Sequence, residues 1–232
     1  MSASTRTLGP RTASQPPAAV PHAVASPGGS LPSAVLEACR GASLQLGGPR
    51  LSTLGVTSTV RGEGRSTIAL ALAEIQSQDY GRGVVLLDLD LESPRLSRLG
   101  AASTPGIAEL ADGIASVDDA LQELGGGITL VSAGAPRGHV TRIMAGFLRA
   151  NLLQAVGERF DVVVADLPPL LGSSCGQAPA AAFADLLLVI RSGVTPLERI
   201  REATVHLSLP PAVLLNGTSS RLPPWLRRLM GC

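Results

Sequence analysis

The chain of 232 residues contains no lysine, because all 19 of its basic residues are arginine. Aromatic residues make up only 2% of the sequence. A core drawn from the 45% of hydrophobic residues must therefore consist mainly of Ala, Val, Leu and Ile. That composition is typical of a parallel sheet covered by helices on both faces. The length is sufficient for one domain with a substantial buried core.

The chain also has a small net charge, few cysteines and no long apolar run. The formal net charge is +1, without the basic excess typical of nucleic-acid-binding proteins, so we expect no nucleic-acid partner. The sequence has three cysteines, which lie far apart at Cys39, Cys175 and Cys232. An odd number at this spacing argues against a disulfide framework and favours a reducing compartment. No run of 18 apolar residues occurs, and the N-terminus lacks the apolar region of a secretory signal. We therefore expect a cytoplasmic protein.

Composition divides the chain into three parts. Residues 1–30 are rich in Pro, Ala and Ser without hydrophobic periodicity, which predicts a disordered arm. Residues 31–217 alternate predicted strands and helices and form the predicted domain. Residues 218–232 form a short tail.

The tail is predicted to be amphipathic. Its Trp225, Leu226 and Leu229 lie close to two arginines, a pattern typical of a weak contact with a membrane surface. A final helix that packs on the domain is the alternative.

The periodicity of residues 31–217 predicts alternating strands and helices. Strands are predicted at Leu51–Ser58, Gly83–Asp90, Ile128–Ser132, Phe160–Asp166, Leu186–Arg191 and Ala212–Asn216. Helices are predicted at 34–46, Ser66–Gln78, Gly106–Ala111, Val117–Leu124, 140–157 and Pro196–Leu207. This alternation indicates right-handed βαβ units, and the predicted fold class is a doubly wound, mostly parallel α/β sheet.

A glycine-containing loop follows the first predicted strand and leads into an amphipathic helix. Such a loop binds phosphate because backbone N–H groups and a helix N-terminus point at one spot, while a basic side chain bridges the outer phosphates. Arg65 stands where that base is normally lysine, and Ser66 offers the hydroxyl expected beside Mg²⁺. The predicted nucleotide-binding residues of the loop are Gly62, Glu63, Gly64, Arg65, Ser66 and Thr67.

Three aspartates end neighbouring predicted strands. Asp88 and Asp90 end the second strand, and Asp166 ends the strand that begins at Phe160. Carboxylates at the carboxyl ends of parallel strands face the crevice that holds a ligand, and Mg²⁺ prefers oxygen ligands of this kind. An aspartate at a strand end can also simply cap the next helix, but three beside a glycine loop favour a metal site. We predict metal ligands at Ser66, Asp88 and Asp166, and catalytic roles for Arg65, Asp88 and Asp90.

These motifs together resemble the bacterial tyrosine kinases of capsule and exopolysaccharide synthesis, a branch of the ParA/MinD-like P-loop ATPases. The resemblance extends from about residue 33 to 217 and is carried mainly by residues 56–67, 85–96 and 160–169. It implies a P-loop fold that binds ATP or ADP with Mg²⁺, with Asn216 beside the base. It also implies a homo-oligomer at the inner face of the cell membrane, which works with a polysaccharide chain-length regulator or another membrane protein of the export machinery.

The sequence departs from that family pattern in three places. The loop lysine is Arg65, Glu92 replaces an arginine after the second acidic motif, and Tyr80 is the only tyrosine, so the family's tyrosine cluster is missing. Arginine is a wide planar fork and is not equivalent to lysine at a tight phosphate site.

We therefore predict a nucleotide-binding, tyrosine-kinase-like protein with weak or lost phosphoryl transfer, acting as an accessory or regulator of exopolysaccharide or capsule synthesis and export. Two alternatives remain open. One is an active ParA/MinD-type ATPase of partitioning or positioning, although Arg61 is the nearest substitute for the lysine that such dimers use. The other is a scaffold that binds a membrane partner and no nucleotide.

Overall fold

The computed structural model describes residues 31–218. The predictions for residues 1–30 and for Trp225, Leu226 and Leu229 therefore lie outside the described residues. The α-helices in the described part are α1 (Ser33–Gln45), α2 (Arg65–Gln78), α3 (Ile107–Ala111), α4 (Val117–Ala120), α5 (Val140–Arg149), α6 (Leu152–Gly157) and α7 (Leu197–Thr204). The strands are β1 (Thr53–Ser58), β2 (Val84–Asp88), β3 (Gln122–Gly125), β4 (Ile128–Val131), β5 (Val162–Asp166), β6 (Asp185–Arg191) and β7 (Ala212–Asn216). Short 3₁₀ helices lie at Gly48–Arg50, Leu96–Leu99 and Ala178–Ala182.

The strands form one sheet in the order β3-β4-β2-β5-β1-β6-β7. All neighbouring pairs are parallel except β3 and β4, which are antiparallel. Helices cover both faces, so the predicted doubly wound, mostly parallel fold is confirmed. Within residues 31–218, no helix is long and apolar enough to cross a membrane.

The apolar side chains of the central strands alternate between two buried layers. Val84 and Leu86 of β2 pack with α1 and α2 on one face of the sheet. Val85 and Leu87 pack on the other face, against a layer that includes Ile143 of α5. Because both faces are covered, β2 is apolar at every position rather than at alternate ones. The same reasoning applies to the run of valines in β5.

The structure corrects two of the predicted helices. The predicted helix Val117–Leu124 is wrong in its second half, because α4 ends at Ala120 and Gln122–Gly125 forms an edge strand. The three glycines 125–127 all have positive φ and turn the chain directly into β4, which allows β3 to pair antiparallel with it.

The predicted single helix 140–157 is also wrong, because it is interrupted between α5 and α6. Asn151 adopts a left-handed conformation with φ of 51° at the break. Asparagine tolerates this conformation better than most residues with a side chain.

The strand order brings the predicted site together. β1 and β2 both pair with β5, so the loop after β1 and the aspartates of β2 and β5 meet at one edge of the sheet. Asp88 and Asp166 are register partners on adjacent strands. This edge is the carboxyl end of the parallel strands, where open α/β sheets hold their ligands.

Candidate functional site

The loop between β1 and α2 has the backbone that its glycines predict. Gly62 and Gly64 have φ of 88° and 94°, which L-residues with side chains rarely adopt. Any side chain at position 64 would also collide with the Asn216 amide. Ser66 lies in the first turn of α2, so its amide is one of the N–H groups without a helical partner at the start of this helix.

The predicted loop residues surround one small cavity. Its volume is about 40 Å³, far below the roughly 300–1,000 Å³ of ordinary ligand pockets. The cavity is lined by Ser58, Gly62, Glu63, Gly64, Arg65, Ser66, Thr67 and Arg95. The structure thus brings all six predicted loop residues together and adds Arg95.

Arg65 turns away from solvent and bridges two aspartates. Its Nε donates to Asp166 Oδ1 at 2.6 Å, and its Nη2 donates to Asp90 Oδ2 at 2.5 Å. The Arg65 side chain is 9% exposed, and both carboxylates are almost completely buried. Burial opposes the charged guanidinium, but Asp166 and Asp90 outweigh it and hold the pKa of Arg65 above its usual range. The side chain expected to bridge phosphates is therefore bound inside the protein.

Asp88 has a different partner from the other two aspartates. Its Oδ2 accepts hydrogen bonds from the backbone N–H and the hydroxyl of Ser97, at 2.8 and 2.7 Å. Burial, reinforced by the negative charge of Asp166, raises the pKa of Asp88 to about 7. Burial also raises the pKa of Asp166, although the Arg65 charge opposes that shift. Asp88 Oδ1 and Asp166 Oδ2 are buried without a hydrogen-bond partner.

The internal hydrogen bonds of these three aspartates leave only Asp88 Oδ1 and Asp166 Oδ2 free for a Mg²⁺ ion. Mg²⁺ requires near-octahedral oxygen ligands at about 2.1 Å and usually retains several waters. Arg65 holds one oxygen each of Asp90 and Asp166, and Ser97 holds one oxygen of Asp88. The described residues contain no group of three or more His, Cys, Asp or Glu that could hold a metal ion. The metal roles of Ser66, Asp88 and Asp166 stay a prediction.

Glu63 fastens the loop to β6 and the segment after it. Its carboxylate accepts from Val60 N at 2.9 Å, Arg191 N at 3.0 Å and the Thr195 hydroxyl at 2.5 Å. The residue is only 2% exposed. The predicted nucleotide contact through Glu63 can thus come only from its backbone. Local sequence patterns do not predict the pairings with Arg191 and Thr195, because these residues lie 128 and 132 positions away.

Asn216, at the end of β7, also contacts the loop. Its side-chain amide donates to the Glu63 carbonyl at 2.8 Å. The predicted contact of Asn216 with a base stays a prediction.

An ion pair between Arg61 and Glu92, which the sequence motifs do not predict, lies at the rim of the site. Arg61 contacts Glu92 at 2.6 Å and Asp90 at 3.7 Å. Glu92 also accepts from the backbone N–H and the hydroxyl of Ser174. The hydroxyl bond is the main reason that the pKa of Glu92 is lowered. Glu92, which replaces the expected arginine, therefore joins the loop to the segment after β5.

Tyr80 lies far from this site. It follows α2 and packs against the layer that contains α1 and α2, near Gly48. The loop is at the start of α2, and a helix of 14 residues spans about 21 Å. The only tyrosine is therefore not positioned to receive a phosphoryl group at the loop of its own chain.

The fold, with its glycine loop between β1 and α2, is similar to that of ParA/MinD-like P-loop proteins. A MinD cell-division ATPase of Pyrococcus furiosus has a similar fold, with a TM-score of 0.58, 22% identity, and coverage of 77% of this chain and 78% of that one. A cobyrinic acid a,c-diamide synthase of Mycobacterium smegmatis, solved with an ATP analogue and magnesium, matches at a TM-score of 0.57 with 20% identity over 78% of this chain and 81% of that one.

Within this class, the relatives of the chain are bacterial tyrosine kinases. The kinase domain of VpsO matches at a TM-score of 0.72 and 26% identity, over 81% of this chain and 96% of that domain. The tyrosine-protein kinase YwqD of Bacillus subtilis is 26% identical over 170 residues, which are 72% of this chain and 71% of that protein. The predicted resemblance is thereby confirmed.

Longer relatives match only in part. The tyrosine-protein kinase ptk of Acinetobacter johnsonii is 28% identical over 156 residues, 66% of this chain and 21% of that protein. The succinoglycan biosynthesis transport protein ExoP of Rhizobium meliloti is 27% identical over 68% of this chain and 20% of its own length. The chain thus spans about a fifth of these relatives. No protein-family model matches it.

Proposed function

We propose that the chain binds a nucleoside tri- or diphosphate at the 62–67 loop and transfers phosphoryl groups slowly or not at all. The observation that carries this proposal is the bridge from Arg65 to Asp90 and Asp166. In phosphoryl transfer, cations placed against the phosphates supply most of the catalysis, and loss of one such group lowers the rate about 10²–10⁵-fold. Arg65 does not supply that charge while it neutralises two carboxylates.

The backbone part of the site supports retained binding. Gly62 and Gly64 keep the positive φ values of a phosphate-binding loop, and α2 presents its N-terminus to the same cavity. These contacts depend on N–H groups and not on the identity of residue 65. The cobyrinic acid synthase, which shares the fold, holds an ATP analogue and magnesium, and this supports a nucleotide as the ligand class.

The relatives support a role in polysaccharide export. One of them is a succinoglycan biosynthesis transport protein, and several are tyrosine kinases. We propose a cytoplasmic accessory that works, as a homo-oligomer, with a membrane-bound chain-length regulator of exopolysaccharide or capsule synthesis. Tyrosine phosphorylation of a cluster on this chain is not part of the proposal, because Tyr80 is its only tyrosine.

The test is a titration of the purified chain with a fluorescent ATP analogue, followed by a hydrolysis assay. We expect binding with little turnover in the native chain and increased turnover in Arg65→Lys, because lysine reaches outward as a single compact charge. Arg40→Lys is the matched control, since Arg40 of α1 makes an exposed pair with Asp79, the residue that follows α2. Rapid hydrolysis by the native chain would contradict the proposal and support the active ATPase.

The size of the cavity favours one second candidate, a scaffold without nucleotide. A volume of about 40 Å³ is too small for a triphosphate unless side chains move. If neither the native chain nor Arg65→Lys binds the analogue, the scaffold is the better function.

A further inference from the structure

We propose that Arg65 replaces the metal ion of this site and that Arg95 supplies the charge facing the phosphates, so the nucleotide binds without Mg²⁺. This inference rests on the proposed function. Neither role was predicted from the motifs, and each is carried by a separate feature of the site.

The first feature is the position of the Arg65 guanidinium. It lies between Asp166, which ends β5, and Asp90, which lies in the segment after β2, and it donates a hydrogen bond to each. A divalent ion placed there would have to displace it from Asp90 and Asp166. Arg65 would then be a buried cation with only the Ser58 hydroxyl as a partner, at 3.4 Å, which is strongly unfavourable. The guanidinium is therefore an internal cation that competes with Mg²⁺ for these two carboxylates.

The second feature is the contrast among three arginines near the loop. Arg65 is bound to Asp90 and Asp166, and Arg61 is bound to Glu92. Arg95 lines the loop cavity but forms no ion pair within the part of the chain that the structure describes. Of these three, Arg95 has its guanidinium available for an anion. Guanidinium groups bind phosphate oxygens with paired hydrogen bonds.

The third feature is the place of Arg95 in the fold. It lies between β2 and the 3₁₀ helix Leu96–Leu99 and is half-buried at the cavity wall. A phosphate bound in this cavity would therefore have the Arg95 side chain beside it.

The test measures the Kd of the fluorescent ATP analogue in Mg²⁺ and in EDTA. For the native chain we expect the two values to agree within about threefold, the scale of a change in ionic screening. Arg95→Gln should weaken binding about tenfold in EDTA, as expected for one lost charged contact. Arg95→Lys should restore part of that loss.

The matched control is Arg98→Gln. Arg98 is three residues further along the chain, exposed, and outside the loop cavity, so its removal changes the net charge equally. We expect native affinity from this variant. A second readout needs no nucleotide: Mg²⁺ alone should not shift the Tm of the native chain, whereas it should raise that of Arg65→Ala, whose carboxylates have lost their internal cation.

The outcomes separate the inference from the proposed function. Native binding that requires Mg²⁺ would overturn the inference and leave nucleotide binding intact. Equal affinities for Arg95→Gln and Arg98→Gln would overturn the role of Arg95. A Tm of the native chain that rises with Mg²⁺ would overturn the role of Arg65. No binding under any condition would overturn the proposed function and this inference with it.

Discussion

Replacement of one loop lysine by arginine changes which groups the loop cation can reach. A lysine ammonium is compact and moves easily between an internal carboxylate and a phosphate, whereas a guanidinium binds in a fixed planar geometry. Arg65 uses Nε for Asp166 and Nη2 for Asp90, so its position satisfies both carboxylates at once. The substitution therefore places a buried positive charge among the aspartates at the carboxyl edge of the sheet.

Removal of Arg65 should destabilise the fold. Arg65→Ala leaves Asp90 and Asp166 buried without their cation, and loss of one partner of a buried ion pair costs about 3–5 kcal/mol. The free energy of unfolding, measured by urea denaturation at pH 8, should fall by that amount. Arg40→Ala removes an exposed pair and should change it little. Equal effects of the two variants would show that the bridge contributes nothing to stability.

The same variant should respond to pH in a defined direction. A carboxyl group whose folded pKa is raised above its unfolded value of about 4 destabilises the fold as pH rises through that window. Burial already raises the pKa of Asp166, and loss of Arg65 removes the charge that opposes this shift. The stability difference between native chain and Arg65→Ala should thus be smaller at pH 5 than at pH 8. A larger difference at pH 5 would contradict this assignment.

At the scale of single elements, the break between α5 and α6 depends on Asn151. Its φ of 51° costs about 1–2 kcal/mol for an ordinary side chain, less for asparagine and nothing for glycine. We expect Asn151→Ala to lower the free energy of unfolding by about 1 kcal/mol and Asn151→Gly to leave it nearly unchanged. Urea denaturation of both variants is the measurement. Greater stability of the alanine variant would mean that a continuous helix also fits this surface.

The elements differ in how well their sequences predicted them. β2 and β5 are buried on both faces, so their continuous apolar runs identify them without tertiary information. β3 is an edge strand of four residues, and its existence depends on pairing with β4. The Asn151 break depends on one backbone conformation, which periodicity does not report. Local pattern therefore predicts the buried strands and misses elements created by a single turn.

The candidate site shows the same division. The loop glycines and three aspartates were predictable because each is defined by its place at a strand end. The bond from Arg65 to Asp166 joins residues 101 positions apart and requires the order β2-β5-β1. Glu63 and Arg95 gave no local signal, since their roles arise only from what the fold places beside them. The chemistry of the residues was thus predictable, whereas their partners were not.

At the scale of the whole molecule, one buried cysteine lies on each side of the sheet, so the reactivity of each thiol measures how readily that side opens. Cys39 of α1 is buried in the layer formed with α2, and Cys175 is buried in the layer on the opposite face. Burial raises the pKa of Cys39 to about 11, so the thiol remains protonated at pH 9 in the folded protein. Since thiolate is the reactive form, Cys39 should resist alkylation until the fold opens.

The rates of alkylation should therefore distinguish global from local opening. In a Cys232→Ser background, Cys39 should react with iodoacetamide only as fast as the chain unfolds, and its rate should increase steeply with urea. Cys175 lies in the irregular segment between β5 and β6, so it should react faster and with a weaker dependence on urea. Mass spectrometry of each cysteine-containing peptide gives both rates. A rate of Cys39 alkylation that does not depend on urea would mean that α1 detaches while the sheet stays folded. Urea has little effect on such a local motion, because it exposes little surface. The two faces would then be separately stable layers on one sheet, and the layer of α1 and α2 would be the less stable of them.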